Sequence, residues 1–405
     1  MMYLNVVNDD GSLNRYHIIK ENFFDETLHG RVGYIGTQSK ESNALNILKA
    51  YFSEAKAILL DETNKAILEQ LKTLNISEFT AKKRKRTIFD KENFALMYFT
   101  SGSTGSPVAA LKSKHNIESE VKVLTALLQK YKIKKVIVTV PFIHLYGTLL
   151  GLIYPLMNDI DIVLKEHFLP HELLNMIDAH TMVVATPLYI KAINQLSQEK
   201  DLSQSIFISS TAPLDVQNIR TFNQKFKADI IQIFGSTETG GIAYKVNDEL
   251  LWKPFESVQA SASIHNELKV KSPFVSLTLY ANGLKRTNCE VQTFDYIEQE
   301  SLGFKLVGRS SKIFKLAGKR YSTIQVENIL EKVDGINKAL VFVELENSSL
   351  RGEYLDITLE TNEVFSANEI KKILQHNLSN LKFSIKLTIV KEIPINQIGK
   401  KLRIK

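Results

Sequence analysis

Tyr98-Phe-Thr-Ser-Gly-Ser-Thr-Gly-Ser-Pro107 decides how the rest of the chain is read. It sets the hydroxyls of Thr100, Ser101, Ser103 and Thr104 around two glycines, Gly102 and Gly105. Ahead of it, Phe94-Ala-Leu-Met-Tyr-Phe99 is apolar throughout and predicts a buried strand. A Gly/Ser/Thr loop leaving such a strand can turn its backbone N–H groups inward as a nest, and small hydroxyls add donors for phosphate oxygens. Taken alone, the same residues suit a flexible surface turn equally well. They do not form a Walker A loop, because no Lys-Ser or Lys-Thr pair follows the second glycine at the required spacing.

Around this stretch the composition bounds the answer. At 405 residues the chain is long enough for two or three domains with buried cores. Hydrophobic residues at 44% and charged ones at 23% are ordinary for a soluble globular protein. One cysteine, Cys289, excludes an internal disulfide framework and a thiolate metal cluster. With no signal peptide in view, a cytoplasmic setting is expected. Ile137 to Met157 is nearly free of charge, but Pro141, His144, Gly147, Gly151 and Pro155 interrupt it. A strand, an active-site turn and a helix are expected there instead of a membrane span. The net charge of +7 suits an anionic substrate or an acidic partner protein. Lys82-Lys-Arg-Lys-Arg86 is either a solvated linker or a docking patch for such a partner. Nucleic acid is not expected, since no aromatic residues interleave with the cluster.

Further on, short apolar runs alternate with helical spacing. Val136–Val140, Asp161–Leu164, Met182–Ala185, Ser205–Ser209 and Asp229–Phe234 read as strands. Helices are expected near 42–57, 64–74, 116–131, 171–178, 187–197 and 215–227. The alternation predicts an α/β fold with a largely parallel sheet covered on both faces, and ligands at the carboxyl ends of its strands. From Trp252 to Gly308 shorter alternating strands predict a β-rich subdomain, and past Arg309 a small α+β unit follows.

Three more segments accompany the opening stretch: Phe234-Gly-Ser-Thr-Glu-Thr-Gly-Gly241, Gly308-Arg-Ser-Ser-Lys-Ile-Phe-Lys-Leu-Ala-Gly-Lys-Arg320 and Asn396-Gln-Ile-Gly-Lys400. In this order the four resemble the adenylate-forming superfamily of acyl- and aryl-CoA synthetases, luciferases and peptide-synthetase adenylation domains, over most of the chain. Lys112-Ser113, His144-Leu-Tyr-Gly147 and Trp252-Lys-Pro254 look most like the short acyl- or aryl-activating synthetases that serve acyl carrier proteins in fatty-acid-like and aryl-polyene pathways. The resemblance implies a large N-terminal adenylation domain, residues 1–308, of layered sheets with helices and shortened at its start. A small mobile lid domain, residues 309–405, would follow.

It also implies ATP, Mg²⁺ and a two-step reaction. A carboxylate attacks the α-phosphate of ATP to give an acyl-adenylate and pyrophosphate; the thiol of CoA or of a carrier protein's phosphopantetheine then displaces AMP. On this likeness Thr100, Ser101, Gly102, Ser103, Thr104 and Gly105 cradle phosphates, and Gly235 and Ser236 belong to the nucleotide site. Thr237 contacts the α-phosphate and Glu238 helps to hold Mg²⁺. Asp295 and Arg309 bind the ribose, His144 shapes the acyl pocket, Gly318 lines the pantetheine tunnel, and Lys400 is the adenylation lysine. Each has a plainer alternative: a helix-start charge for Glu238, a strand end for Asp295, a surface ion pair for Arg309, a core histidine, a turn glycine, or a tail lysine like Lys401 and Lys405.

The chain departs from the family pattern at Val108 and Ala109, where lysine and glycine are usual, at Phe294, where glycine precedes the aspartate, and at Ser311, the hinge position. Lys112 is the candidate to supply the charge missing at Val108. The expected activity is an acid:thiol ligase acting on a fatty or aromatic acid. A catalytically weakened binding or scaffold subunit and an adenylating enzyme with a non-thiol acceptor are the alternatives.

Overall fold

The computed structural model describes the chain apart from residues 37–38, 63, 82–85, 101–107, 265, 310–312, 317–318, 346–352, 378–383, 396–400 and 404–405. Met1–Ala260 with Val270–Val291 make one compact unit, and Ser261–Lys269 with Gln292–Lys405 make a second.

The β-branched runs of the first unit become the middle of a nine-stranded sheet. Its order is Lys253–Pro254, Gly240–Val246, Asp229–Ser236, Ile206–Ser209, Thr181–Ala185, Lys135–Val138, Asp161–Leu164, Tyr3–Val7 and Leu13–His17. Ile137, Val138, Met182, Val183, Val184, Ile206, Phe207 and Ile208 are all fully buried, as strands covered on both faces require. The helices Pro170–Met176, Pro187–Asn194 and Val216–Phe226 contribute Leu173, Leu174, Ile190, Ile193, Ile219, Phe222 and Phe226 to the core on one face. The crossover strands are parallel, so their carboxyl ends share one edge.

A six-stranded sheet runs Leu284–Arg286, Thr278–Tyr280, Val108–Lys112, Leu96–Thr100, Lys56–Leu59 and Val32–Ile35. Leu96–Thr100 pairs antiparallel with Val108–Lys112, with Thr100 opposite Val108 and Leu96 opposite Lys112. Residues 101–107 therefore connect the two arms of a hairpin. The helix expected over 42–57 ends early: it spans Lys40–Phe52, and Ala57 lies in the strand Lys56–Leu59. Glu54 adopts a left-handed φ of 55°, which stops the helix, and the fully buried Ala57-Ile-Leu59 then fits between two parallel neighbours. The hairpin Tyr3–Val7 and Leu13–His17 is an element the composition did not mark; its edge position lets most of Leu13–His17 stay polar.

Ile137 to Met157 divides into the end of a strand, a turn and three short helical pieces, Leu145–Thr148, Leu149–Ile153 and Tyr154–Met157. Among the described residues no helix is long and apolar enough to cross a membrane. In the second unit Asp295–Glu300 pairs antiparallel with Gly303–Arg309 and leads to a hairpin, Ile313–Leu316 with Lys319–Ser322. A three-stranded sheet follows, Ile336–Leu345, Glu353–Thr361 and Ser384–Val390, packed by the helices Thr323–Leu330 and Ala367–Asn377. Val326, Leu330, Val341, Leu355, Ile357, Ile370 and Leu374 form its core. The chain is thus an α/β protein with a large layered unit and a smaller α+β one.

Candidate active site

Asp229–Ser236 is the last parallel strand before the sheet turns back on itself, and it returns as Gly240–Val246 with Ser236 opposite Gly240. The turn closes on hydroxyls: Thr239 Oγ1 accepts from Ser236 N–H at 3.1 Å, and Ser236 Oγ accepts from Thr239 N–H at 3.2 Å. Gly235 is needed for this closure, since a Cβ there would fall 2.3 Å from the Gly240 carbonyl oxygen. Gly240, at φ +74°, makes the left-handed step that side chains resist. Thr237 and Glu238, both half-buried, occupy the tip at the carboxyl edge of the sheet.

Beneath the tip lie charges. The Lys112 ammonium, on a side chain 1% exposed, donates to the Phe274 carbonyl at 2.7 Å and to that of Glu238 at 3.2 Å. Ser276 N–H donates to the same Glu238 oxygen at 2.9 Å. Burial pushes the Lys112 amine down to about 8, against the pull of the Glu120 and Glu238 carboxylates. Lys112 therefore does not supply the charge missing at Val108: its ammonium is held under the Glu238 turn. The buried Glu120 accepts the Gly241 N–H at 2.7 Å, and burial raises its carboxyl above the usual range. The sequence carried a signal for Glu120, because it falls on the apolar stripe of its helix with Ile117, Val121, Leu124 and Leu128.

At the same edge His144 precedes the helical turn Leu145–Thr148, whose first N–H groups need acceptors, and Thr148 N–H donates to its carbonyl at 3.0 Å. Part of its surface stays open, yet packing around the imidazole lowers its pKa, with Asp61 acting in the opposite sense. Two residues on, the Tyr146 hydroxyl lies 2.9 Å from the Ala185 carbonyl and 2.8 Å from that of Ile208. It thereby ties the ends of two adjacent strands. Gly147 is required here, since a Cβ would sit 2.1 Å from the Pro141 carbonyl oxygen. Ser210 Oγ donates to Ile233 O at 2.8 Å, and the exposed Thr211 that follows is held at φ 78°. A β-branched residue at positive φ is strained, and such strain concentrates at ligand-handling sites.

The second unit brings Asp295 and Arg309 together as cross-strand partners on an antiparallel ladder. Asp295 is 5% exposed and its N–H donates to Thr293 Oγ1 at 3.1 Å, whereas Phe294, in place of the family's glycine, is 54% exposed. Alternation along the strand sends the two to opposite faces. Lys401, expected as an ordinary tail lysine, is nothing of the kind. Its ammonium donates to Ala339 O at 2.7 Å and binds the carboxylates of Glu327 and Glu331. Ser101, Gly102, Ser103, Thr104, Gly105, Gly318 and Lys400 lie outside the described residues, as does most of the basic run Lys82–Arg86.

Thr237 and Glu238 make an oxygen-rich, half-buried tip, unlike an enclosed metal cage. No group of three His, Cys, Asp or Glu among the described residues could hold a metal ion. A cation at Glu238 would take its remaining ligands from phosphate oxygens and water.

Residues 33–273 match the protein family described as AMP-binding enzyme. The chain is 25% identical to a putative long-chain fatty acid–CoA ligase of Staphylococcus haemolyticus, over 75% of this chain and 68% of that one. It is 24% identical to a long-chain fatty acid–CoA ligase of Bacillus subtilis, over 88% and 70% respectively. A 3,4-dihydroxybenzoate–[aryl-carrier protein] ligase of Bacillus anthracis is 22% identical over 76% of this chain and 72% of its own. In fold, the chain superposes on the O-succinylbenzoate–CoA synthetase of Bacillus subtilis in complex with its acyl-adenylate intermediate. The TM-score is 0.81 at 16% identity, covering 98% of this chain and 94% of that one.

Proposed function

The chain belongs to the family of AMP-binding enzymes, and from that premise we propose that it is an ATP- and Mg²⁺-dependent acid:thiol ligase. It joins a fatty or aromatic carboxylic acid to a phosphopantetheine thiol, with an acyl carrier protein preferred over free CoA as the acceptor. The observation that carries this reading is the hydroxyl-closed Ser236–Gly240 turn, which holds Thr237 and Glu238 at the carboxyl edge of the parallel sheet.

In the first half-reaction a carboxylate oxygen of the acid attacks the α-phosphorus of ATP. The bond from the α-phosphorus to the bridging oxygen breaks, and pyrophosphate leaves. The Thr237 hydroxyl donates to an α-phosphate oxygen as charge builds there, and Thr100 to Gly105 cradle the outer phosphates. Glu238 would help to hold Mg²⁺, which would neutralise phosphate charge. Asp295 and Arg309 orient the ribose, and the Lys400 ammonium meets the reacting carboxylate and α-phosphate. In the second half-reaction the thiol sulfur attacks the acyl carbon, AMP leaves, and the thiol proton passes to solvent. Residues 309–405, turning at Ser311, bring Lys400 to the first step and Gly318 to the second. His144 shapes the acyl pocket with Ser210 and Thr211, and burial lowers the pKa of its imidazole.

The test is pyrophosphate release by the purified chain with ATP and Mg²⁺ across fatty and hydroxyaryl acids, with Lys400→Ala alongside. Release with one acid class, lost in the variant, is the expected result. Silence across the panel while MgATP still binds would sink the ligase reading in favour of a binding subunit.

A further inference from the structure

On the ligase reading above, we propose that Lys112 and Glu120 are the positioning pair of the Thr237–Glu238 tip, setting where its hydroxyl and carboxylate meet the triphosphate. Neither residue touches substrate in this role; both act through the backbone of the turn.

The two side chains hold the turn at its two sides. Lys112 donates to the Glu238 carbonyl at 3.2 Å and to the Phe274 carbonyl at 2.7 Å, so one ammonium binds the tip to the segment beneath it. Glu120 accepts the Gly241 N–H at 2.7 Å on the returning arm. Its carboxylate lies so close that a Cβ on Gly240 would come within 2.6 Å of one oxygen, and a Cβ on Gly241 within 2.9 Å of the other. The glycines of Thr239-Gly-Gly241 are therefore there to let a buried carboxylate approach the backbone, as well as to turn the chain.

Burying a cation and an anion is costly, and apolar residues of similar volume would fill the space at least as stably. What apolar residues cannot do is hold a particular carbonyl and a particular N–H at fixed positions. The pair is also placed to link two parts of the site. Lys112 ends the strand Val108–Lys112, which follows directly on residues 101–107, and Glu120 lies on the next helix, Lys114–Leu128. The outgoing arm of the phosphate-loop hairpin and the Glu238 tip are thereby fastened to each other. Asn116, on the same helix, adds bonds to the carbonyls of Pro273 at 2.7 Å and Val275 at 3.0 Å, flanking the Phe274 carbonyl that Lys112 holds.

The experiment compares the full chain with Lys112→Met, Glu120→Gln and the double variant. Pyrophosphate release with MgATP reads the half-reaction that needs the triphosphate. Thioester formation from the separately supplied acyl-adenylate reads the half-reaction that does not. Lys112→Met is expected to lower kcat for pyrophosphate release by about tenfold to a hundredfold with KM for the acid unchanged, and to slow the second half-reaction less, since the acyl-adenylate keeps only the α-phosphate that Thr237 meets. The double variant, which leaves no lone buried charge, is expected to regain the thermal midpoint and not the rate. Equal slowing of both half-reactions, or recovery of rate together with stability, overturns the proposal. Where Lys112→Met does not fold, Glu120→Gln and the double variant carry the same comparison. A wild-type chain silent with every acid is a failure of the ligase reading alone. MgATP affinity by calorimetry then decides the pair: weaker binding in the variants upholds it, and equal binding overturns it.

Discussion

Lys401 and Glu327 meet at 3.3 Å, Lys401 Nζ to Glu327 Oε2, inside the second unit. Glu327 in turn accepts the Val341 N–H at 3.0 Å, and Glu331, which also binds Lys401, accepts that of Ala339 at 2.9 Å. One lysine thus joins the helix Thr323–Leu330 and the turn after it to the strand Ile336–Leu345, while its backbone pairs with Ile395. Arg403, bridged to Glu344 at 2.6 Å and Asp356 at 3.0 Å, fastens the same terminal segment a second time.

Lys401→Met should therefore lower the stability of the second unit by about 1–3 kcal/mol, the range for leaving a buried hydrogen-bonding group without its partner. Lys400→Ala should leave stability unchanged while abolishing pyrophosphate release. Urea melts followed by a probe in residues 309–405 check both. Equal midpoints for Lys401→Met and wild type would contradict the clamp.

Tyr146→Phe removes the hydroxyl between the Ala185 and Ile208 carbonyls. We expect a loss of about 1–3 kcal/mol, because the phenylalanine keeps the packing and leaves the carbonyls short of a donor. Chemical denaturation measures it, and a variant as stable as wild type would show that water replaces the hydroxyl without cost.

His144 supplies a pH dependence with a definite sign. Its folded pKa lies below the ordinary 6.5 because burial disfavours the imidazolium, and Asp61 only partly offsets this. Between the folded value and 6.5 the unfolded chain binds more protons than the folded one. The associated stability is complete above 6.5 and is lost as pH falls through that window. His144→Gln should flatten the acid limb of the stability curve from pH ~6.5 downward. Parallel curves for variant and wild type would rule the group out.

Removing divalent cations with a chelator should stop pyrophosphate release and leave thioester formation from supplied acyl-adenylate running, since AMP as leaving group carries no triphosphate. Glu238→Gln should raise the Mg²⁺ concentration needed for half-maximal release. A variant with the wild-type Mg²⁺ requirement would remove Glu238 from the metal site.

The sequence by itself determined the class of the fold and the place of its edge. The apolar runs Val136–Val140, Met182–Ala185 and Asp229–Phe234, alternating with segments of helical spacing, are enough to predict buried strands in a largely parallel sheet. Thr237 and Glu238 were singled out through the family resemblance that Phe234–Gly241 carries, and the structure places them on the turn between Asp229–Ser236 and Gly240–Val246. Only the tertiary structure decided what supports that tip. Lys112 and Glu238 are 126 positions apart, and Glu120 and Gly241 121 apart, so no local pattern pairs them. The same holds for Lys401, which looks like any charged tail residue until folding places Glu327 and Glu331 beside it. Secondary structure and turn chemistry follow from neighbours a few residues away, whereas the partner of a buried charge is chosen by how separate elements pack, when leaving it unpaired would cost more than the chain can bear.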